Sequence, residues 1–164
     1  MLEDKMGESE EVFFKYAFPC TEDLFNIGAI NREDYERMQN YKKKGETPKR
    51  EELERVYKNA IRRMEEYFGI NFWNVENIRE YFLKQHNKFI DAGDGEYKNA
   101  PHTIKDLCKV KIGKVIKKRK VGGSLIYIVK VGKEEIGVIG NYLPNAEIGD
   151  KISFHWKIAV EKIE

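Results

Sequence analysis

The chain has 164 residues, 41% of them hydrophobic and 35% charged, with a formal net charge of +2, so it can bury a usable core as one domain or two small ones and stay soluble. No apolar run approaches the roughly 20 residues that cross a bilayer, and the amino terminus, MLEDKMGESEE, is acidic where a secretory signal is basic and then apolar. The expected location is the cytoplasm, with no membrane partner. Cys20 and Cys108 lie too far apart for a Cys-x-x-Cys clip and are too few for a disulfide framework, so both are expected to be reduced thiols.

Helical signals fill the first hundred residues. Short helices are expected over 9–18 and 32–43, the second capped by Asn31. From Thr47 onward Leu53, Val56, Tyr57, Ala60, Ile61, Met64, Tyr67 and Phe68 step by three and four, which predicts one long helix. Thr47 is its expected N-cap, Pro48 its first helical residue and Gly69 its stop. A further helix is expected over 75–90, capped by Asn74 and ended before Gly93. These make a small helical bundle, domain 1–100.

Two residues there carry chemistry. His86 shares a helical face with Ile78 and Phe82, which favours a core histidine over a ligand. Cys20 follows Pro19 at a helix end, where burial as a small hydrophobe is favoured. The stretch from Asp91 to Tyr97 gathers three carboxylates, but Gly93 and Gly95 stand where a calcium loop needs oxygen ligands, so it reads as a linker.

Charge and periodicity change near Pro101. Residues 101–164 hold 13 Lys and Arg against 7 acids, whereas residues 1–100 hold 17 against 21. Alternation takes over, with Leu125, Tyr127, Val129 and Val131 on one face between the turns Gly122-Gly123 and Gly132-Lys133. Strands are expected over 109–118, 124–131, 134–139, 151–155 and 158–163. The fold class is therefore α+β: the helical bundle, then a five-stranded antiparallel barrel resembling the oligonucleotide/oligosaccharide-binding (OB) type, domain 101–164. Gly113 interrupts the first strand, where a bulge or bend is expected.

The segment Cys108-Lys-Val-Lys-Ile-Gly113-Lys-Val115 resembles the amino-terminal signature of the HypC/HupF hydrogenase assembly chaperones, Cys-x-Ala-x-Pro-Gly-x-Val. Leu143-Pro144 and the run from Gly149-Asp150 through His155 to Ala159 are similar to that family's closing signature, Gly-Asp-x-Val-x-Val-His-x-Gly-Phe-Ala. The resemblance covers the last third of the chain. Cys108 is internal here, where the family places its cysteine directly after the initiator methionine; Ile112 replaces Pro, and Lys157-Ile158 replace Gly-Phe. The resemblance implies a chaperone-like accessory protein that acts by contact with a protein partner, a maturation factor or hydrogenase subunit. Cys108, Gly113, Pro144, Gly149, Asp150 and His155 would form the contact. It further implies that Cys108 and His155 converge on one metal, iron, with the Cys108 sulfur accessible on the barrel surface. The bland alternative is a half-buried Cys108 opening a strand and a His155 ring packed on Trp156 or Tyr142.

The same strand supports another class of function. Lys109, Lys111, Lys114, Lys117, Lys118, Arg119 and Lys120, with no acid among them and with Tyr127, Tyr142, Phe154 and Trp156 in the same segment, have the ingredients of a single-stranded nucleic-acid site. They also suit a solvated edge strand guarded by lysines. A phosphate loop, a nucleophile elbow and a His-Glu-x-x-His clip are all missing from the sequence, so an enzyme acting alone is not expected.

Overall fold

The computed structural model describes residues 5–164; the first four residues of the acidic amino terminus lie outside the described residues. Two compact units divide the chain, one ending at His86 and the other running from Asn87 to Glu164.

The first unit is helical: α1 (Glu8–Ala17), a 3-10 turn (Phe18–Cys20), α2 (Thr21–Asn26), α3 (Arg32–Lys43), α4 (Arg50–Val56), α5 (Lys58–Phe68) and α6 (Val75–Glu80), followed by a π-helical segment (Tyr81–Gln85); the chain continues through α7 (His86–Asp91). The Asn31 and Asn74 side chains cap α3 and α6 as expected, accepting from the N–H groups of Asp34 and Asn77 at 2.8 Å each. Aromatic rings fill the core: Phe13 meets Tyr57, Trp73 and Phe82 at 5.9, 5.3 and 5.6 Å, and Tyr16 stacks on Phe82 at 5.2 Å. Each such pair adds about 0.5–1.5 kcal/mol beyond its buried area.

The long helix expected from Thr47 differs in two ways. It is capped at Lys49, not Thr47, and it breaks at Tyr57, whose backbone leaves the helical region at φ −104°, ψ 44°. Inside the core the Tyr57 hydroxyl is tied to Thr21 Oγ at 2.8 Å, a long-range contact that periodicity does not register.

In the second unit a 3-10 turn (Gly95–Tyr97) and α8 (His102–Cys108) precede β1 (Lys111–Val121), β2 (Ser124–Val131), β3 (Glu134–Ile139), β4 (Lys151–His155) and β5 (Ile158–Ile163). The strands close into a barrel in the order β1-β2-β3-β5-β4. Four pairings are antiparallel, but β3 and β5 run parallel, joined in register only at Ile139 and Ile158. The expected all-antiparallel barrel is thus corrected to a mixed one. Closing five strands in this order leaves β3 and β5 pointing the same way. Inward residues Val115, Tyr127, Val129, Val138, Ile152, Phe154 and Ala159 form the core, joined by Ala146 from a loop.

Candidate Cys/His metal site

Cys108 does not open a strand. It is the last residue of α8, and β1 begins at Lys111. Three contacts in the barrel unit fix its surroundings. The backbone N–H of Trp156 donates to the Leu107 carbonyl at 3.0 Å. The Asn87 side chain clamps Val110, donating to its carbonyl and accepting its N–H, each at 2.9 Å. The Tyr97 hydroxyl lies 2.6 Å from the Cys108 sulfur. The stretch read as a linker therefore delivers Tyr97, 4% exposed, to the thiol.

His155 ends β4, and its Nε2 stands 3.7 Å from Cys108 Sγ. The expected convergence of the two is present. The expected accessibility is not: Cys108 is 1% and His155 0% exposed. Sulfur and ring are buried because the turn after β4 folds onto the end of α8. That turn is Trp156-Lys157, with φ 54° and 57°, the left-handed pair that a two-residue hairpin of this type requires and that Asn-Gly usually supplies.

The other signature residues serve the barrel frame. Gly113 sits where a Cβ would come within 2.5 Å of Val129 Cγ1 and 2.7 Å of the Lys130 carbonyl. Its role is close strand approach; the bulge expected there falls instead between Val115 and Lys117. Gly149, at φ 99°, donates its N–H to the Val115 carbonyl at 2.8 Å. Asp150 Oδ2 accepts from the Glu147 N–H at 2.9 Å and pairs with Lys162 at 3.3 Å; the first contact and then the lysine hold its carboxyl below the usual range. Pro144 lies in an exposed turn, and Ala159 is buried opposite Phe154.

The basic strand is partly neutralised. Lys109 pairs with Asp91 at 2.6 Å, Lys111 with Asp106 at 3.0 Å and Lys118 with Glu147 at 3.5 Å. Lys111 in turn holds the Asp106 carboxyl below its ordinary range. Lys114, Lys117, Arg119 and Lys120 are exposed. Of the four rings, Tyr127 and Phe154 are buried in the core and offer no face for a base.

Sequence reasoning set aside a second Cys/His pair. In the helical unit Cys20 ends the 3-10 turn, anchored by Thr21, whose hydroxyl donates to the Phe18 carbonyl at 2.6 Å. His86 follows the π segment, its N–H bonded to the Tyr81 carbonyl. The extra residue in a π turn shifts the face that later side chains occupy, and such turns recur at functional sites. The His86 ring is buried against Tyr81 and Phe82, both at 5.7 Å, and a ring nitrogen lies within 4.8 Å of Cys20 Sγ. Neither residue carries a motif spacing, so only the fold reveals the pair. Cys20 and His86 in the helical unit, and Cys108 and His155 in the barrel unit, each offer a donor atom of the kind that holds a metal ion. Thiolate sulfur and imidazole nitrogen suit iron or zinc.

No helix among the described residues is long and apolar enough to cross a membrane. Compared with family models, curated proteins and solved structures, the chain matches none of them.

Proposed function

We propose that the protein is a metal-binding accessory protein of the hydrogenase-maturation kind, without catalytic activity of its own, that holds its ion through Cys108 and His155. It acts by contact with a protein partner, a maturation factor or a hydrogenase subunit. The carrying observation is the buried approach of Cys108 Sγ and His155 Nε2 at 3.7 Å. A thiolate beside an imidazole is a soft-metal donor pair, and the Tyr97 hydroxyl on the sulfur is the outer contact that orients such a ligand. Burial favours a resident ion over one handed on from an open surface. The strand order β1-β2-β3-β5-β4 supports reading the barrel as OB-like, a small scaffold that frees its loops and strand faces for contact. The test is metal content of the full chain purified under reducing conditions. One ion per chain is expected, falling to background in Cys108→Ser and in His155→Ala; equal content in all three sinks the reading. Co-purification with a tagged hydrogenase large subunit tests the partner separately.

The second reading is single-stranded nucleic-acid binding, favoured by the exposed Lys114, Lys117, Arg119 and Lys120 on β1. Four cations limit the salt dependence to a log-log slope of about −3 for single strands. Absence of binding at low salt disposes of it.

A further inference from the structure

We infer that the free edge of β3 in the barrel unit is a docking site for an extended, basic segment of a partner protein, which joins the sheet as an added strand. The inference goes beyond the metal reading and stands whether or not Cys108 and His155 hold an ion.

Strand β3 is paired along one side and open along the other. All six of its residues pair with β2, from Glu134 opposite Val131 to Ile139 opposite Ile126. Toward β5 only Ile139 pairs, its N–H donating to the Lys157 carbonyl at 2.8 Å. Main-chain groups of successive strand residues point to opposite sides, so the bond from Ile139 fixes the direction of the rest. The N–H and C=O groups of Glu135 and Gly137 therefore also point away from β2, and no hydrogen bond from the described residues reaches them. Such a row of unpaired groups is a template for another strand. A cavity of about 250 Å3 opens along this edge, lined by β3 from Glu134 to Gly137 and by Leu107, Phe154 and Lys157.

Gly137 is a second, independent observation. A glycine weakens a strand and calls for a reason, commonly the close approach of another backbone. Gly113 and Gly140 have theirs inside the barrel, where a Cβ would run into Val129 and Tyr127. Gly137 has none there: it is exposed, its φ is not left-handed, and a Cβ would meet nothing within 4 Å. A strand laid against the edge supplies the missing approach.

Charge selects the occupant. Lys109 and Lys111, which also border the cavity, are neutralised by Asp91 and Asp106. Glu134 and Glu135 are exposed and make no ion pair with the described residues, against one such cation in the lining, Lys157. Opposite charges facing each other across strands are favourable and like charges unfavourable. The carboxylates that guard the edge against acidic strands thus admit a basic one. Side chains of the added strand alternate as those of β3 do. Those level with Glu135 share its outer face, where a cation meets the carboxylate. Those level with Ile136 lie on the inner face, where Ile136 itself packs against the barrel core, and there an apolar side chain fits. The segment alternates basic and apolar residues.

The experiment titrates the isotope-labelled full chain with two end-blocked peptides, Lys-Val-Lys-Val-Lys-Val and Glu-Val-Glu-Val-Glu-Val, following the amide signals of β3. Expected is saturable binding of the lysine peptide, with the Glu135 and Gly137 N–H signals shifted and protected from exchange, and binding of the glutamate peptide weaker by about 10-fold. Glu135→Lys, a change at an exposed position, should invert that preference. N-methylation of the lysine peptide at its lysine nitrogens alone, or at its valine nitrogens alone, should abolish binding in one case and spare it in the other, because only alternate N–H groups face β3. Absence of binding, equal affinity for the two peptides, equal effects of the two methylations, or shifts confined to other strands each overturn the inference. Protection of the Glu135 and Gly137 amides that grows with protein concentration in the peptide-free chain overturns it too, in favour of a second copy as occupant. Metal content enters none of these readouts, so their failure leaves the preceding reading standing.

Discussion

Trp156 donates its backbone N–H to the carbonyl of Leu107 at 3.0 Å, and the neighbours of that bond in the chain are His155 and Cys108. One main-chain hydrogen bond between the end of a helix and a strand turn therefore sets the two candidate ligands side by side. Neither side chain chooses its position; the backbone does.

The turn carrying this bond is strained. A left-handed conformation costs an L-residue roughly 1–2 kcal/mol, and Trp156 and Lys157 both adopt one. Lys157→Gly should raise stability by about 1 kcal/mol, a rise of a few degrees in melting temperature, without altering metal content. A lower melting temperature would show that the lysine side chain contributes more than its backbone costs.

Gly113→Ala should act in the opposite direction. Its Cβ would meet the Val129 side chain and the Lys130 carbonyl below 3.0 Å, and backbone cannot rotate away. A loss of about 1–3 kcal/mol in denaturant unfolding is expected. Unchanged stability would mean that β1 and β2 separate at this point in solution.

Tyr97→Phe removes the only polar atom of its ring and keeps its shape. Loss of the hydroxyl that contacts Cys108 should weaken metal binding by about 10–100-fold while stability changes by no more than ~1 kcal/mol. Equal affinity in the two proteins would reduce Tyr97 to a packing residue.

Lys42 makes stability depend on alkaline pH. Its ammonium stands over the Phe14 and Phe18 rings at 5.5 and 5.3 Å, which favours the cation, yet burial outweighs the rings and, with Lys15 nearby, brings its pKa down to about 8. Between that value and the ordinary 10.5 the unfolded chain holds more protons than the folded one, so its contribution to stability rises with pH across the window. Lys42→Met should flatten this rise and add on the order of 1–3 kcal/mol near neutral pH. Urea titrations across the window give the slope, and an unaltered slope in the variant sinks the assignment.

Local signals wrote much of the fold into the sequence. Asn31 and Asn74 mark helix starts through their own side chains, and the alternation of Tyr127 and Val129 fixes an inward face that the barrel core confirms. What escaped depends on distant partners. The break at Tyr57 answers to Thr21, and the parallel run of β3 and β5 follows from closing the barrel, which no strand encodes alone. Cys108 and His155 were legible through their spacing to glycines and an aspartate. Tyr97 and the pairing of Cys20 with His86 were not, because a loop tyrosine, a turn cysteine and a helix histidine look ordinary until the chain folds.

The parallel seam has a kinetic meaning. β3 and β5 are in register at a single residue pair, Ile139 and Ile158, with the Ile139 N–H on the Lys157 carbonyl at 2.8 Å, whereas every other strand pair of the barrel shares a longer ladder. Segments with few ladder bonds open first and most often. This weakest closure lies at the Trp156-Lys157 turn, next to a His155 that is wholly sealed from solvent. Brief parting of the seam is then the route by which solvent reaches the buried Cys108 and His155, and under the proposed function an ion would enter by the same breathing of one strand edge.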